Sequence, residues 1–256
     1  MLKKAYRTLV PEKIRRRIAP ILQQLRNFNL LARKYGQFAS IWNRSCVNSA
    51  SEPIPWYTYP AIEFLDNLST EHLSLFEYGS GNSSIWWARR VSHIVSIEHD
   101  RSWYERVKQE TRAQNFEYMW SEDDDRYEQQ IGRYSKRFDI IVIDGIHRIG
   151  CARYALEHIK TFGGMMLILD NSDWYPALTD FITRTLGWAR VDMSGFGAIN
   201  DYTWTTSIWI NQNNTNDIYK NAIRHSKGAV RQQYKEDYEF SLTCPDSIAR
   251  KSPLEE

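Results

Sequence analysis

The sequence predicts an α/β protein with a Rossmann-like, seven-stranded, mostly parallel sheet, helices on both faces and an antiparallel last strand. Three observations support this prediction. From residue 61 onward, short apolar segments alternate with helical patterns, as in parallel sheets that are covered on both faces. A small-residue turn, Gly79-Ser80-Gly81, follows the first apolar segment. Later segments end in Glu98, Asp144 and Asp170, and ligands bind beyond the carboxyl ends of the strands in such sheets.

The individual elements follow from the spacing of apolar residues. Apolar runs predict strands at 73–78, 93–98, 116–120, 138–143, 165–169, 188–193 and 203–210. Helical spacing predicts helices at 61–67, 83–90, 102–113, 149–160 and 177–186. Asn82 or a following serine is the expected cap of the second of these helices. The last two strands have no helical pattern between them, which predicts an antiparallel hairpin at the end of the sheet.

The chain is expected to have three parts. These are a basic helical extension and linker at 1–50, a ligand-binding domain at 51–212 and a polar C-terminal helix or tail at 213–256. The hydrophobic content of 42% and charged content of 25% are typical of globular domains. Three widely spaced cysteines without a CxxC pair disfavour a disulfide framework or structural zinc and indicate a reducing, cytoplasmic compartment. No secretory signal or apolar run of about 18 residues is recognised.

The charge is divided unevenly along the chain. Residues 1–44 contain eleven Lys or Arg and one acid, Glu12, so subtracting these from the totals of 33 and 31 leaves 22 basic and 30 acidic residues elsewhere. Residues 2–35 show helical apolar spacing with interspersed arginines. This pattern predicts either a surface helix that contacts an anionic membrane peripherally or a solvated helix that packs on the body. The acidic body disfavours nucleic acid as a partner.

The segment Pro55-Trp56-Tyr57-Thr58-Tyr59-Pro60 places three aromatic residues between prolines. Aromatic rings stack on sugar and phenol faces, so the segment is expected to form either a ligand-binding lip or a lid over the core. Trp174 and Tyr175 follow a predicted strand and are expected at the same rim.

The segment Phe76-Glu77-Tyr78-Gly79-Ser80-Gly81 indicates a nucleoside-binding crevice. Glycines allow the backbone to approach a ligand closely, and the carboxylate of Glu98 can accept hydrogen bonds from both ribose hydroxyls. A helix N-cap is the alternative for each of the carboxylates that precede helices.

This segment resembles the first motif of class I S-adenosylmethionine-dependent methyltransferases, and the resemblance covers about residues 60–210. Ser84 stands where dinucleotide-binding folds have their third glycine, which disfavours a dehydrogenase. The resemblance implies S-adenosylmethionine as cofactor. The residues it implies for cofactor binding are Glu77, Gly79, Ser80, Gly81, Asn82, Ser83, Ser84, Glu98, His99, Glu122, Asp123 and Asp144.

The second half of the chain is similar to metal-dependent O-methyltransferases of the catechol and caffeoyl type and of the macrolide-sugar type. That similarity implies that Asp144, Asp170 and Asn171 hold Mg²⁺ or Ca²⁺, which prefer oxygen ligands. It also implies that His147 is a general base. Arg148 is a candidate clamp for an anionic substrate group. A simple turn at Asp170-Asn171, a structural histidine and a surface salt bridge are the alternatives.

These features together predict an O-methyltransferase that acts on a hydroxyl of a sugar, glycan or other small polyhydroxylated acceptor. Asp144 is followed by Gly-Ile-His and not by Pro-Pro, which disfavours methylation of amines or nucleobases. Two alternatives stay open: a non-catalytic nucleotide-binding scaffold that docks through the basic arm, and an RNA-modifying methyltransferase. The expected location is cytoplasmic, with peripheral contact at the membrane, and the sequence predicts no oligomeric state.

Overall fold

A computed structural model describes residues 11–111, 113–122, 124–214, 218 and 226–229. Within these residues, seven strands form one sheet. The strands are β1 (Ser74–Tyr78), β2 (His93–Glu98), β3 (Phe116–Trp120), β4 (Ile140–Ile143), β5 (Met166–Leu169), β6 (Ala189–Gly195) and β7 (Trp204–Ile210). Each predicted strand is present, and the bounds of β2 and β3 agree with the prediction.

The strand order is β3-β2-β1-β4-β5-β7-β6. β1 to β5 are mutually parallel, whereas β7 runs antiparallel to both of its neighbours, β5 and β6. The predicted seven-stranded, mostly parallel sheet with an antiparallel last strand is therefore confirmed. The hairpin predicted for the last two strands is formed, and its second strand inserts between β5 and β6.

The helices connect the strands and flank the sheet. They are α1 (Glu12–Asn29), α2 (Gln37–Asn43), α3 (Tyr59–Asp66), α4 (Asn82–Ala88), α5 (Arg101–Glu110), α6 (Asp124–Tyr127), α7 (Arg148–Phe162) and α8 (Pro176–Leu186). A π-helical turn at Leu30–Lys34 follows α1, and 3-10 turns lie at Glu128–Arg133 and Ser172–Trp174. None of the helices in the described part of the chain combines the length and hydropathy needed to cross a bilayer.

The prediction and the structure differ at two short helices and at the two ends of the chain. The sequence pattern missed α2 and α6, which are short and lack a sustained apolar repeat. The helix predicted at 2–35 is observed from Glu12, and residues 1–10 lie outside the described residues. Most of the predicted C-terminal helix or tail at 213–256 also lies outside them. The predicted domain boundaries therefore stay predictions.

The two faces of the sheet carry separate apolar cores because side chains alternate along each strand. Phe76, Tyr78 and Ile141 pack on one face against α7 and α8, in a cluster that also contains Tyr127. Leu75 and its neighbours pack on the other face, against α3 and α4. Both faces are covered, as the continuous apolar strands predicted.

Candidate active site

The candidate site lies where the chain changes direction across the sheet. From β1 the chain proceeds outward through β2 and β3, and β4 then pairs with the other side of β1. In open α/β sheets, the loops that leave two such strands diverge and form a ligand-binding crevice. Gly79 has φ +88°, and a Cβ added there would lie 2.6 Å from Cα of Gly145 in the loop after β4. Glycine is therefore required at position 79 for both its conformation and its close contact.

Glu77 provides a buried acceptor at this crevice. Its Oε2 atom accepts hydrogen bonds from the hydroxyls of Ser84 (2.5 Å) and Ser96 (2.7 Å). Its Oε1 atom is buried and has no partner in hydrogen-bond geometry, although the Ser83 hydroxyl lies near enough to this carboxyl group to lower its pKa. Burial raises the pKa of Glu77 from 4.5 to about 7, although the neighbouring serine hydroxyls lower it. Buried polar atoms are normally paired, so Oε1 is suited to a donor that a ligand brings.

The carboxylate of Glu98, which is predicted to accept hydrogen bonds from ribose, already accepts hydrogen bonds from other residues of the chain. Its Oε2 atom accepts from the backbone N–H and the hydroxyl of Ser80, both at 2.9 Å. Its Oε1 atom accepts from the backbone N–H groups of His99 and Asp100, also at 2.9 Å. Glu98 thus links the end of β2 to the glycine loop of β1. The observed contribution of this carboxylate is to hold that loop in place.

The other predicted cofactor residues lie in different surroundings. Ser83 and Ser84 are buried in the first turn of α4, beside Glu77. Asn82 instead donates to the backbone carbonyl of Cys46 at 2.6 Å and so fastens the N-terminal segment to the body. His99 lies half-exposed next to Glu98, Glu122 is exposed, and Asp123 lies outside the described residues.

Two aromatic residues that the sequence pattern did not indicate pack against the loops that follow β1 and β4. The ring of Tyr127 lies between those of Tyr78 and His99, with centroid distances of 5.8 and 6.0 Å. The Tyr127 hydroxyl is buried without a hydrogen-bond partner, and a Cβ at Gly145 would come within 2.1 Å of it. Trp103 donates from Nε1 to the carbonyl of Ser80 at 2.6 Å. Tyr127 belongs to a short, charged helix that has no apolar repeat, so the sequence did not indicate its role. Trp103 looked like one of the exposed residues of a surface helix.

Asp144 and Arg148 form a largely buried ion pair at the end of β4. Nη2 of Arg148 donates to Oδ1 of Asp144 at 3.0 Å, and the two side chains are 11% and 18% exposed. Burial raises the pKa of Asp144 to about 6, while the charge and hydrogen bond of Arg148 act in the opposite direction. The alternative of a salt bridge for Arg148 is therefore observed, but the pair is largely buried and not at the surface.

The predicted metal ligands do not form a cation site. Nη1 of Arg148 donates to Oδ1 of Asn171 at 3.1 Å and to the backbone carbonyl of Asp170. The carboxylate of Asp170 faces the other way, toward the indole of Trp204 (3.0 Å) and the hydroxyl of Thr206 (2.5 Å).

In the part of the chain that the structure describes, no group of three His, Cys, Asp or Glu residues is arranged to hold a metal. The guanidinium of Arg148 stands among the oxygen atoms that a divalent cation would need, and two cations at this distance would repel. Asp144, Asp170 and Asn171 as observed therefore do not fit a metal ion. The sequence alone did not show that the guanidinium of Arg148 would provide the positive charge at this position.

His147 directly precedes Arg148 in the chain and is the N-cap residue of α7. Its backbone is left-handed, with φ +49°. Its Nδ1 atom is 3.9 Å from Oε1 of Glu128, and the side chain is 43% exposed. This separation exceeds hydrogen-bond range, so the contact is electrostatic and does not define the tautomer of the ring. The role of His147 as base stays a prediction.

The predicted aromatic rim is only partly formed. Tyr57 and Tyr59 are buried, so their assignment to a lip is wrong, and they belong to the lid over the core. Trp56 is exposed, and its Nε1 donates to Oδ1 of Asn200 at 2.6 Å. Trp174 is also exposed, and its ring is 6.5 Å from that of Tyr202. The exposed rings come from the loops near the carboxyl end of β5.

The crevice has an acidic wall, which consists of Glu77, Asp144 and Asp170. Burial raises the pKa of the Tyr57 hydroxyl well above its usual value, and the nearby carboxylates of Glu77, Asp144 and Asp170 raise it further. Burial also raises the pKa of Asp170, with a further contribution from Asp144. These three carboxyl groups are thus close enough to interact electrostatically. The crevice is suited to a ligand that brings positive charge.

No protein-family model matches the sequence, and no curated protein matches it. Solved structures with a similar arrangement include the O-methyltransferase TomG from Streptomyces achromogenes, in complex with SAM, at 16% identity and TM-score 0.44, covering 71% of this chain and 88% of TomG. An rRNA methylase from Streptococcus thermophilus shows 11% identity and TM-score 0.44, covering 60% of this chain and 97% of its own.

A methyltransferase-like protein from Silicibacter pomeroyi shows 19% identity and TM-score 0.43, covering 63% of this chain and 90% of its own. At these identities and TM-scores, the likenesses define neither a substrate nor a reaction for this chain. The functional assignment depends on the strand order and on the residues of the crevice.

Because the carboxyl group of Glu77 is buried, we expect the free energy of unfolding to depend on pH. Its folded-state pKa, about 7, lies above its ordinary value of 4.5, so the folded protein binds this proton more tightly than the unfolded chain. The free energy of unfolding should therefore fall as pH rises between these values, by on the order of 3 kcal/mol for this group. Urea titrations of Glu77→Gln should show a flatter pH dependence and higher stability at pH 8 than wild type.

Glu122→Gln, which removes a charge from an exposed position, serves as the control and should keep the wild-type dependence. An equal pH slope for wild type and Glu77→Gln would show that Glu77 is not the buried group responsible.

Because the guanidinium of Arg148 stands at the predicted metal position, we expect the stability of the protein not to respond to divalent cations. The melting temperature of the wild type should stay the same with millimolar Mg²⁺ or with EDTA, because Arg148 already bonds Asp144 and Asn171. Arg148→Ala should lower the free energy of unfolding by about 3–5 kcal/mol, since it leaves a buried carboxylate unpaired. Mg²⁺ should restore part of that loss.

Arg184→Ala removes an exposed ion pair with Asp180 and should cost no more than about 0.5 kcal/mol. A wild-type melting temperature that rises with Mg²⁺ would show that the cation displaces Arg148 and would restore the metal prediction.

Proposed function

We propose that this protein is an S-adenosylmethionine-dependent methyltransferase that transfers a methyl group to a hydroxyl oxygen without a divalent cation. The observation that carries the proposal is the unpaired, buried Oε1 atom of Glu77 at the crevice between β1 and β4. An ammonium group is the ligand donor that this atom suits best, and the donor molecule carries one on its methionine part. A charge-assisted hydrogen bond of this kind is stronger than a neutral one.

The glycine loop supports the same assignment. Gly79 allows close contact between the two loops, and Glu98 fixes the backbone of Ser80. We propose that Gly79 to Gly81 form the floor beneath the donor, with Tyr127 and Trp103 as the aromatic walls nearby. A contact between Glu98 and ribose requires that the carboxylate keep its bonds to Ser80 and accept further ones. That contact stays a prediction.

The acidic wall fits the charge change in the reaction. S-adenosylmethionine supplies a methyl group on a positively charged sulfonium and leaves as a neutral thioether. Glu77 and Asp144 would stabilise the positive charge of the bound donor, and Arg148 would hold Asp144 in position. Alignment of the acceptor oxygen with the methyl carbon is then the main requirement for a fast reaction.

His147 is the proposed general base. As the acceptor oxygen forms its bond to the methyl carbon, the hydroxyl proton passes to His147, and the electrons of the broken carbon–sulfur bond stay on sulfur. Glu128, 3.9 Å from Nδ1, would orient the ring and stabilise the imidazolium that forms. No metal takes part in this step.

The proposed acceptor is a sugar, glycan or other small polyhydroxylated molecule. Trp56, Trp174 and Tyr202 present exposed rings in loops near the carboxyl end of β5, and Asn200 beside Trp56 adds a hydrogen-bonding amide. Flat apolar rings with a neighbouring polar group are a common arrangement for stacking on a sugar face.

Binding of the donor can be tested by calorimetric titration with S-adenosylhomocysteine. The wild type should bind, and Glu77→Gln should bind at least about tenfold more weakly because a bond to a charged donor is lost. Gly79→Ala should lose binding, since the added Cβ meets Gly145, whereas Gly132→Ala is the matched control because no atom lies within 4 Å of its added Cβ.

Glu77→Gln keeps this test valid if Gly79→Ala fails to fold, because Glu77→Gln is expected to be stable at pH 8. A wild type that binds neither S-adenosylhomocysteine nor S-adenosylmethionine would overturn the proposed function.

The role of His147 can be tested in an assay of S-adenosylhomocysteine release with a panel of sugars, glycans and phenols. His147→Gln should lower kcat by about 10²–10⁴-fold and leave the affinity for S-adenosylhomocysteine unchanged. His72→Gln, an exposed histidine before β1, is the control. Full turnover by His147→Gln would refute its role as base, and turnover with RNA alone would favour the alternative acceptor class.

A further inference from the structure

Helix α1 presents an apolar stripe that the body does not cover. None of its residues is buried. The stripe consists of Ile14, Ile18, Ile21, Leu22, Leu25 and Phe28, which lie on one side of the helix at about 100° per residue. Ile21 and Phe28 are each about 60% exposed. A stripe of this size on a helix normally faces a core or a partner.

Cations flank this stripe on both sides. At the same angular spacing, Lys13 and Arg17 lie along one edge, and Arg15 and Arg26 lie along the other. Long cationic side chains beside an apolar stripe can place their stems against apolar chains and their charged ends among anionic groups. An amphipathic helix with this arrangement typically lies in the interface of a membrane.

A second exposed apolar surface lies on α2. Phe38, Ile41 and Trp42 are exposed there, and Trp42 is 77% exposed. The rings of Phe38 and Trp42 stack at a centroid distance of 6.1 Å. Tryptophan is enriched where membranes meet water because its ring is both apolar and polar. Two consecutive helices thus offer the same kind of surface.

The charges indicate which partner this surface fits. Residues 12–44 contain eight Lys or Arg and one acid, Glu12. A second copy of the chain would bring two sets of these cations together, which disfavours a symmetric dimer through the stripe. A nucleic acid would satisfy the cations but leave the apolar residues in water. An anionic bilayer satisfies both.

We propose that α1 and α2 dock on an anionic lipid bilayer, with the apolar stripe and Trp42 at the boundary between headgroups and acyl chains and the flanking cations at lipid phosphates. This inference does not depend on the proposed methyltransferase activity. If both hold, the protein works on acceptors at or near a membrane surface.

Vesicle flotation with the full chain tests this proposal. The wild type should float with vesicles of equal parts phosphatidylcholine and phosphatidylglycerol, and it should bind vesicles of phosphatidylcholine alone more than about tenfold more weakly. High sodium chloride should weaken binding to the anionic vesicles because it screens the flanking cations.

Two double variants separate the stripe from the rest of the helix. Leu25→Ser with Phe28→Ser should weaken binding to anionic vesicles at least about tenfold, because two large apolar side chains are lost. Gln23→Ser with Asn27→Ser changes the opposite side of the same helix and should bind like wild type. Neither pair contains a buried residue, so both variants should keep the wild-type melting temperature.

Equal binding by the two double variants, or equal binding to neutral and anionic vesicles, would overturn the proposal. Sedimentation velocity without vesicles gives a further check. Self-association of the wild type that Leu25→Ser with Phe28→Ser abolishes, in a protein that does not float, would assign the stripe to a second copy and also overturn it.

Discussion

The close contact between the loops that follow β1 and β4 determines how the candidate site is built. A Cβ at Gly79 would lie 2.6 Å from Cα of Gly145, so neither loop can move toward the other. The contact occurs where the strand order reverses, and the crevice beside it is therefore a property of the sheet itself. Glu77 reaches this crevice from β1, while Asp144 reaches it from β4. Each functional proposal made for the crevice depends on these two loops being held together.

Charge is the second constraint, because the crevice contains more acid than base. Glu77 and Asp170 are buried and Asp144 is largely so; burial raises the pKa of each, and the charge of Asp144 raises the pKa of the other two further. Among the described residues, Arg148 is the cation that bonds directly to this cluster. A positively charged ligand would favour the ionised form of these carboxyl groups and so lower their pKa values. A sulfonium donor with an ammonium group is a ligand of this kind.

Much of the fold could be predicted from the sequence because its strands are apolar runs with clear ends. β2 and β3 were predicted with the observed bounds, whereas β4 begins at Ile140 because Asp139 turns its carboxylate to the backbone of Ser74. The site was predictable only in part. Residue type indicated that Glu77 and Asp144 meet at one edge, but it did not indicate that Glu98 is bonded by its own loop. The role of Tyr127 was not predictable, because the helix that carries it has no apolar repeat.

The position of Arg148 also bears on how an acceptor hydroxyl can be activated. A divalent cation would bind the acceptor oxygen and lower its pKa before the methyl group is transferred. A guanidinium that already bonds Asp144, Asn171 and the carbonyl of Asp170 cannot act as such a Lewis acid. In the proposed reaction the proton would then leave during transfer, and a positioned base would be needed at that moment. His147 directly precedes Arg148 in the chain. The same turn that brings the arginine to the carboxylates therefore also carries the proposed base, so in the proposed reaction one short loop would supply both the cation and the proton acceptor.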